Sequence, residues 1–356
     1  MALVLALLVS VLWLGSGCGL KIGVGDDDNE ATKDVPVIGL SFDSLVVERW
    51  QRDMEIIVAE ANERGYQVNV QIANEDIQKQ RTQIEALVDL GVDALIVLPN
   101  DATALNEVIT KAQRAGIPVI AYDRLIKSPG VDLYVSFDNE GIGYELAARM
   151  IRQLMQQRSN RTDAGGTLTK QIVVINGDPK DNNALLLNQG FYRAIKEQAP
   201  APVKVVHEVW ANGWRERYAE EAIREVLAQG KKIDGVICAN DMLAASAIKV
   251  LAEENLAGTI PVVSQDAELS ACQRIVAGTQ LATVYKPIND LATQAVNMAV
   301  ALAEGQTLPV EETLYNGYLD VPYLKLDVIV VDRSNMDKMI IESGFHLRED
   351  VYRYQP

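Results

Sequence analysis

The chain has 356 residues, 48% of them hydrophobic and 23% charged, with a formal net charge of −16. That is enough apolar material for two well-buried domains, while an acidic chain with no visible Lys/Arg stripe argues against a phosphate-gripping nucleic-acid surface. Only two histidines occur, His207 and His346, in unrelated contexts, too few for a histidine triad or a multi-histidine metal site; no cofactor and no metal are expected.

In chain order, residues 1–18, MALVLALLVSVLWLGSGC, form an apolar run of signal-peptide length that closes on small residues and a cysteine, too short for a comfortable membrane span. The ending LGSGC resembles a bacterial lipoprotein signal, which makes Cys18 the candidate lipidation site; an ordinary cleaved signal is the alternative. There is no Lys or Arg ahead of the run, and Leu14 stands one position further from the cysteine than the usual pattern. Residues 19–34, with GDDDNEATKD, read as an acidic tether.

From Pro36 strand and helix alternate. VPVIGLSF, a helix carrying Trp50, Met54, Ile57 and Ala61 at helical spacing up to Gly65, YQVNVQIA, a second helix, ALIVLP, NEVITKAQRAG, PVIAYD and LYVSFD make a first βαβ set. Right-handed crossovers then require one parallel twisted sheet. A second set runs from GYELAARMIRQLMQQ through KQIVVING, VKVVHEVW, DGVICAN and IPVVSQD to LATVYK, interrupted by the polar surface loop RSNRTDAGGTLTK. No Pro/Gly/Ser-rich linker divides the sets, which points to several crossings rather than one tether. A last helix, LATQAVNMAVALAEG, is one too many for the second set, and an extended segment follows it. Cys238 and Cys272 lie on apolar elements and read as buried free thiols.

The two sets repeat one design, in which an apolar strand stops at a carboxylate or amide: Asn100 and Asp101, Asp123 and Arg124, Asn240 and Asp241, and Asp266. Such residues stand at the carboxyl edge of a parallel sheet, where open α/β folds bind ligands. Trp50 with Arg49, Trp214 in a Gly-bearing loop, Asp181 and Asn183 in GDPKDNNA, and Lys286 after the last strand add flat aromatic faces and planar hydrogen-bonding groups. On spacing alone Trp50 reads as core beside Met54, and Asp181 and Asn183 also suit helix capping. Arg49, Arg124 and Lys286 are expected to lower the carboxylate pKa values, leaving no general acid for glycosidase chemistry. The glycine pair in GIGYELAARM lacks a phosphate-loop lysine and the full dinucleotide fingerprint.

The order of SFDSLVVERWQRD, AYDRLI, SFDNE, KDNNA, NGW, AND, QDA and TVYKPI resembles the periplasmic sugar-binding proteins of ABC transporters over nearly all of the chain after residue 34. The resemblance implies an α/β fold of two doubly wound parallel-sheet lobes joined by three hinge crossings. Lobe 1 would hold 35–138 plus 286–313 and lobe 2 would hold 139–285 plus 314–347, with 348–356 as a C-terminal tail. It further implies ligand roles for Arg49, Trp50, Asp123, Arg124, Asp181, Asn183, Trp214, Asn240, Asp266 and Lys286, with Asn139 in a hinge and Asn100 and Asp101 without a role. The implied ligand is a monosaccharide, D-xylose before other pentoses or hexoses. The implied partner is an ABC transporter permease, or alternatively a membrane sensor kinase or chemoreceptor ectodomain. The protein would act as a binding protein and not an enzyme, periplasmic or held at the membrane through Cys18.

Overall fold

Continuous Val/Ile/Leu runs become strands covered on both faces, and the amphipathic stretches between them become the covering helices. The computed structural model describes residues 35–47, 49–156, 169–198 and 203–354. Cys18 with its signal segment, the acidic tether and most of RSNRTDAGGTLTK lie outside these residues.

The first lobe opens with β1 (Val37–Phe42), α1 (Arg49–Glu63), β2 (Gln67–Ile72), α2 (Ile77–Leu90), β3 (Ala94–Leu98), α3 (Asn106–Arg114), β4 (Val119–Tyr122) and β5 (Leu133–Phe137). The second lobe continues with α4 (Asn139–Gln156), β6 (Lys170–Asn176), α5 (Asn182–Gln198), β7 (Val203–Trp210), α6 (Arg217–Ala228), β8 (Gly235–Cys238), α7 (Asp241–Glu253), β9 (Val262–Val263), α8 (Leu269–Ala277) and β10 (Thr283–Tyr285). The chain returns for α9 (Ile288–Ala303), β11 (Thr313–Tyr315) and β12 (Asp320–Leu326), then crosses back to β13 (Ile329–Val331) and α10 (Arg348–Val351). Among the described residues it therefore passes between lobes at three places: after Phe137, after Tyr285 and after Leu326.

The first sheet has the order β11-β12-β5-β4-β3-β1-β2, parallel throughout except where β11 meets β12. Alternate residues of β3 serve opposite faces. Ala94, Ile96 and Leu98 join the core with Ile57 and Ala61 of α1 and Leu291 and Ala295 of α9, whereas Leu95 and Val97 pack with α2 and α3. The second sheet, β7-β6-β8-β9, is parallel, and β10 pairs antiparallel with β13 beside it. Gly143 of the GIGYELAARM pair is a packing residue: a Cβ there would stand 2.1 Å from the Leu187 carbonyl oxygen, and one at Gly190 would stand 2.1 Å from that of Glu140. The two glycines let α4 and α5 cross backbone to backbone.

Two expected boundaries are corrected. Residues 314–326 were expected in lobe 2, but β11 and β12 extend the first sheet. β12 runs parallel to β5, with Tyr323 stacked on Tyr134 at 4.9 Å and its hydroxyl donating to the Phe137 carbonyl at 2.7 Å. Nor is 348–354 a free tail: Val351 of α10 is buried with Cys272, Ile275 and Met336 under lobe 2. Cys238 and Cys272 are both buried and unpaired.

Candidate functional site

Strand ends from both lobes hand polar residues to the same space. Arg49 and Trp50 open α1 after β1; Asp123 and Arg124 follow β4; Asp181 lies just before α5 and Asn183 in its first turn; Trp214 sits in a one-turn 3-10 helix after β7. Asn240, Asp266 and Lys286 follow β8, β9 and β10. All ten line one cavity between the lobes, together with Val47, Asn139 and Gln265. None of the ten residues is more than 8% exposed.

Charges are paired across this space. Arg49 makes a forked contact with Asp53 of its own helix, at 3.0 and 3.2 Å, and reaches Asp123 at 2.9 Å. Arg124 bridges the lobes, with Asp43 at 3.0 Å on one side and Asp181 at 2.7 Å on the other. Lys286 holds Asp266 at 3.0 Å. Three cations and three carboxylates thus line the cavity, which suits a neutral polar ligand better than an ion. Asn183 acts across the cleft as well, donating to the Asp123 carbonyl at 2.9 Å and carboxylate at 3.0 Å.

The unpaired groups are more telling than the paired ones. Among the described residues, eight buried side-chain N or O atoms lack a hydrogen-bond partner, and Asp123 Oδ2, Arg124 Nε and Asp266 Oδ1 among them sit in the ion pairs above. Of the other five, Trp50 Nε1, Trp214 Nε1, Asn240 Nδ2 and Gln265 Oε1 all belong to cavity residues. Buried polar atoms are otherwise satisfied almost without exception, so three donors and one acceptor clustered in one cavity mark a place for a hydrogen-bonding ligand.

The two tryptophans are not equivalent. The Arg49 guanidinium lies 4.4 Å above the Trp50 ring, which commits a face of that indole to a cation. Trp214 instead packs over Gly177, where a Cβ would come within 2.2 Å of the ring. Three cavity residues hold backbone angles that non-glycine residues rarely adopt: Asp123 (φ 58°), Trp214 (φ 57°) and Asp266 (φ 105°). Such strain persists only where surrounding contacts enforce it.

Sequence reasoning missed Gln265 and gave Asn139 only a hinge role. Asn139 does sit at the first crossing, where its amide donates to the Phe137 carbonyl at 3.1 Å, and it also lines the cavity. Asn100 lies further out, in the cleft mouth, with its amide on Asp43 at 2.5 Å. The expected lowering of carboxylate pKa values is corrected for Asp181: burial raises it above its ordinary value and outweighs the opposing Arg124 charge. Asp53 is raised by burial in the same way.

Burial also pushes the Asp241 carboxyl up to about 6, against the hydrogen bond from Ser264. A raised folded-state value means that the folded protein keeps a proton which the unfolded chain releases, so this group's contribution to stability declines as pH rises from about 4 to about 6 and is constant above. In urea unfolding across pH 4–7, the stability of wild type relative to Asp241→Asn is expected to fall with pH in that window, by at most ~1.4 kcal/mol per unit. A flat or rising difference would contradict it.

The periplasmic binding protein domain family matches residues 38–307. The chain belongs to that family. The D-xylose-binding periplasmic protein of Haemophilus influenzae is 38% identical over 317 residues, which cover 88% of this chain and 92% of that protein. Its Escherichia coli counterpart is likewise 38% identical, over 316 residues with the same coverage. Among solved structures, an ABC transporter solute-binding protein from Clostridium phytofermentans with bound β-D-glucose superposes with a TM-score of 0.78 at 26% identity, covering 88% of this chain and 99% of that one. As a periplasmic binding protein, the molecule is a binder rather than an enzyme and works outside the cytoplasm.

Proposed function

We propose that the cleft captures a monosaccharide, D-xylose, and that the closed protein delivers it to the permease of an ABC transporter. The observation that carries this reading is the set of four unpartnered buried atoms in a cavity of balanced charge. A pyranose offers hydroxyls that both donate and accept, together with C–H faces that suit the Trp214 indole. Charged partners strengthen those hydrogen bonds enough to draw a neutral sugar from water. The names of the relatives supply xylose, and the glucose held by the solved neighbour supports a pyranose in this class of cleft. Closure would shift a pre-existing balance between open and closed lobes about the three crossings, with Arg124 and Asn183 joining the lobes in the closed form. Anchoring through Cys18 would keep the protein beside its permease.

Titration calorimetry of the purified protein with D-xylose, D-glucose and D-ribose tests the reading. Saturable one-to-one heat with D-xylose at the lowest concentration of the three is expected. No heat with xylose alongside clear binding of ribose would remove the substrate assignment.

A further inference from the structure

The QDA turn after β9 holds two cavity residues, Gln265 and Asp266, and contains two successive positive-φ residues, Asp266 (φ 105°) and Ala267 (φ 52°), with no glycine to relieve them. Something must hold it, and the contacts converge on one buried side chain. The Asp241 amide N–H donates to the Gln265 carbonyl at 2.9 Å. The Asp241 carboxylate accepts from the Glu268 amide N–H at 3.0 Å and from the Thr283 hydroxyl at 2.9 and 3.0 Å. That same hydroxyl accepts from the Ala267 amide N–H at 3.1 Å. Ser264 Oγ and Gln280 Nε2 complete the shell around the carboxylate. Both backbone donors just past the strained residue are therefore tied to Asp241, one directly and one through Thr283.

We propose that Asp241 is a positioning residue for the ligand site, holding the 265–268 turn in the shape that presents Gln265 and Asp266 to the sugar. Adjacent residues divide the work: Asn240 faces the cavity, and Asp241, fully buried, faces away from it into the turn. The strained turn at Asp123 is held differently. The Asp123 carbonyl accepts from Tyr134 at 2.9 Å, Ser136 at 2.6 Å and Asn183 at 2.9 Å. Asp101, the first-lobe counterpart of Asp241 in the repeat, only caps its own turn through Thr103 and Ala104. An asparagine at 241 cannot replace the carboxylate, because its amide would turn a donor toward either the Glu268 N–H or Gln280 Nε2, whose orientation Arg274 fixes by donating to Gln280 Oε1 at 2.9 Å.

The inference rests on the cleft being a sugar site, and a double-mutant cycle separates the two ideas. D-xylose affinity is measured by calorimetry for wild type, D241N, D266A and the double variant, with the thermal transition recorded for each. D241N is expected to weaken binding tenfold or more in the wild-type background and less than about twofold in the D266A background. Thr283→Val, which removes the relay to Ala267, is expected to show the same dependence on Asp266 and decides the matter if D241N does not fold. Equal losses in both backgrounds, or a D241N affinity within twofold of wild type, would overturn the inference alone. A wild-type protein that binds no monosaccharide would overturn the proposed function and this inference together.

Discussion

Replacing Trp214 with alanine is expected to weaken monosaccharide binding by about 100-fold, roughly 3 kcal/mol, the size of an aromatic hot spot in a desolvated pocket. This indole is the aromatic wall that lobe 2 supplies, and its Nε1 is one of the four unpartnered atoms. Trp214 lies in a single helical turn at the cleft, but its ring also packs over Gly177 and belongs to the buried core, so folding is measured beside affinity. Calorimetry with D-xylose checks the affinity, and circular dichroism checks that the secondary structure persists. An affinity within twofold of wild type would take Trp214 off the ligand.

Removing Arg124 should cost stability as well as binding. In Arg124→Met, Asp43 and Asp181 both lose their buried cation, and breaking a buried pair by deleting one partner costs ~3–5 kcal/mol. Part of that cost comes from leaving the buried Asp181 carboxyl without its partner, so Arg124→Met combined with Asp181→Asn should be less destabilised than Arg124→Met alone. Urea unfolding at pH 7 measures both. Strictly additive losses would show that Arg124 and Asp181 are not coupled across the cleft.

The strand endings were legible because a parallel sheet writes its ligand edge into sequence: an apolar run, then a polar residue, then a helix. Asp123, Arg124, Asn240 and Asp266 were visible in that way, and the structure gathers them with the other six around one cavity. What remained hidden depends on partners far away in the chain. The segment 314–326 reads as strand, but nothing local says that it pairs with β5 rather than with the second sheet, and Tyr134 lies 189 positions before its partner Tyr323. Gln265 stands just before the polar residue that ends its strand, and in a regular strand those two neighbours would point to opposite faces. The positive φ at Asp266 breaks that alternation, and a Gln-Asp-Ala sequence carries no glycine to announce it. Trp50 was ambiguous for a different reason: it meets both readings, packing in the core of the first lobe while lining the cavity.

The most direct measurement is a crystal structure of the protein with D-xylose. The sugar is expected in the inter-lobe cavity, within hydrogen-bonding reach of Trp50 Nε1, Trp214 Nε1, Asn240 Nδ2 and Gln265 Oε1, with a C–H face against the Trp214 ring. A sugar seated only in the outer mouth beside Asn100 and Arg215, with those four atoms still unpartnered, would contradict the assignment of the site.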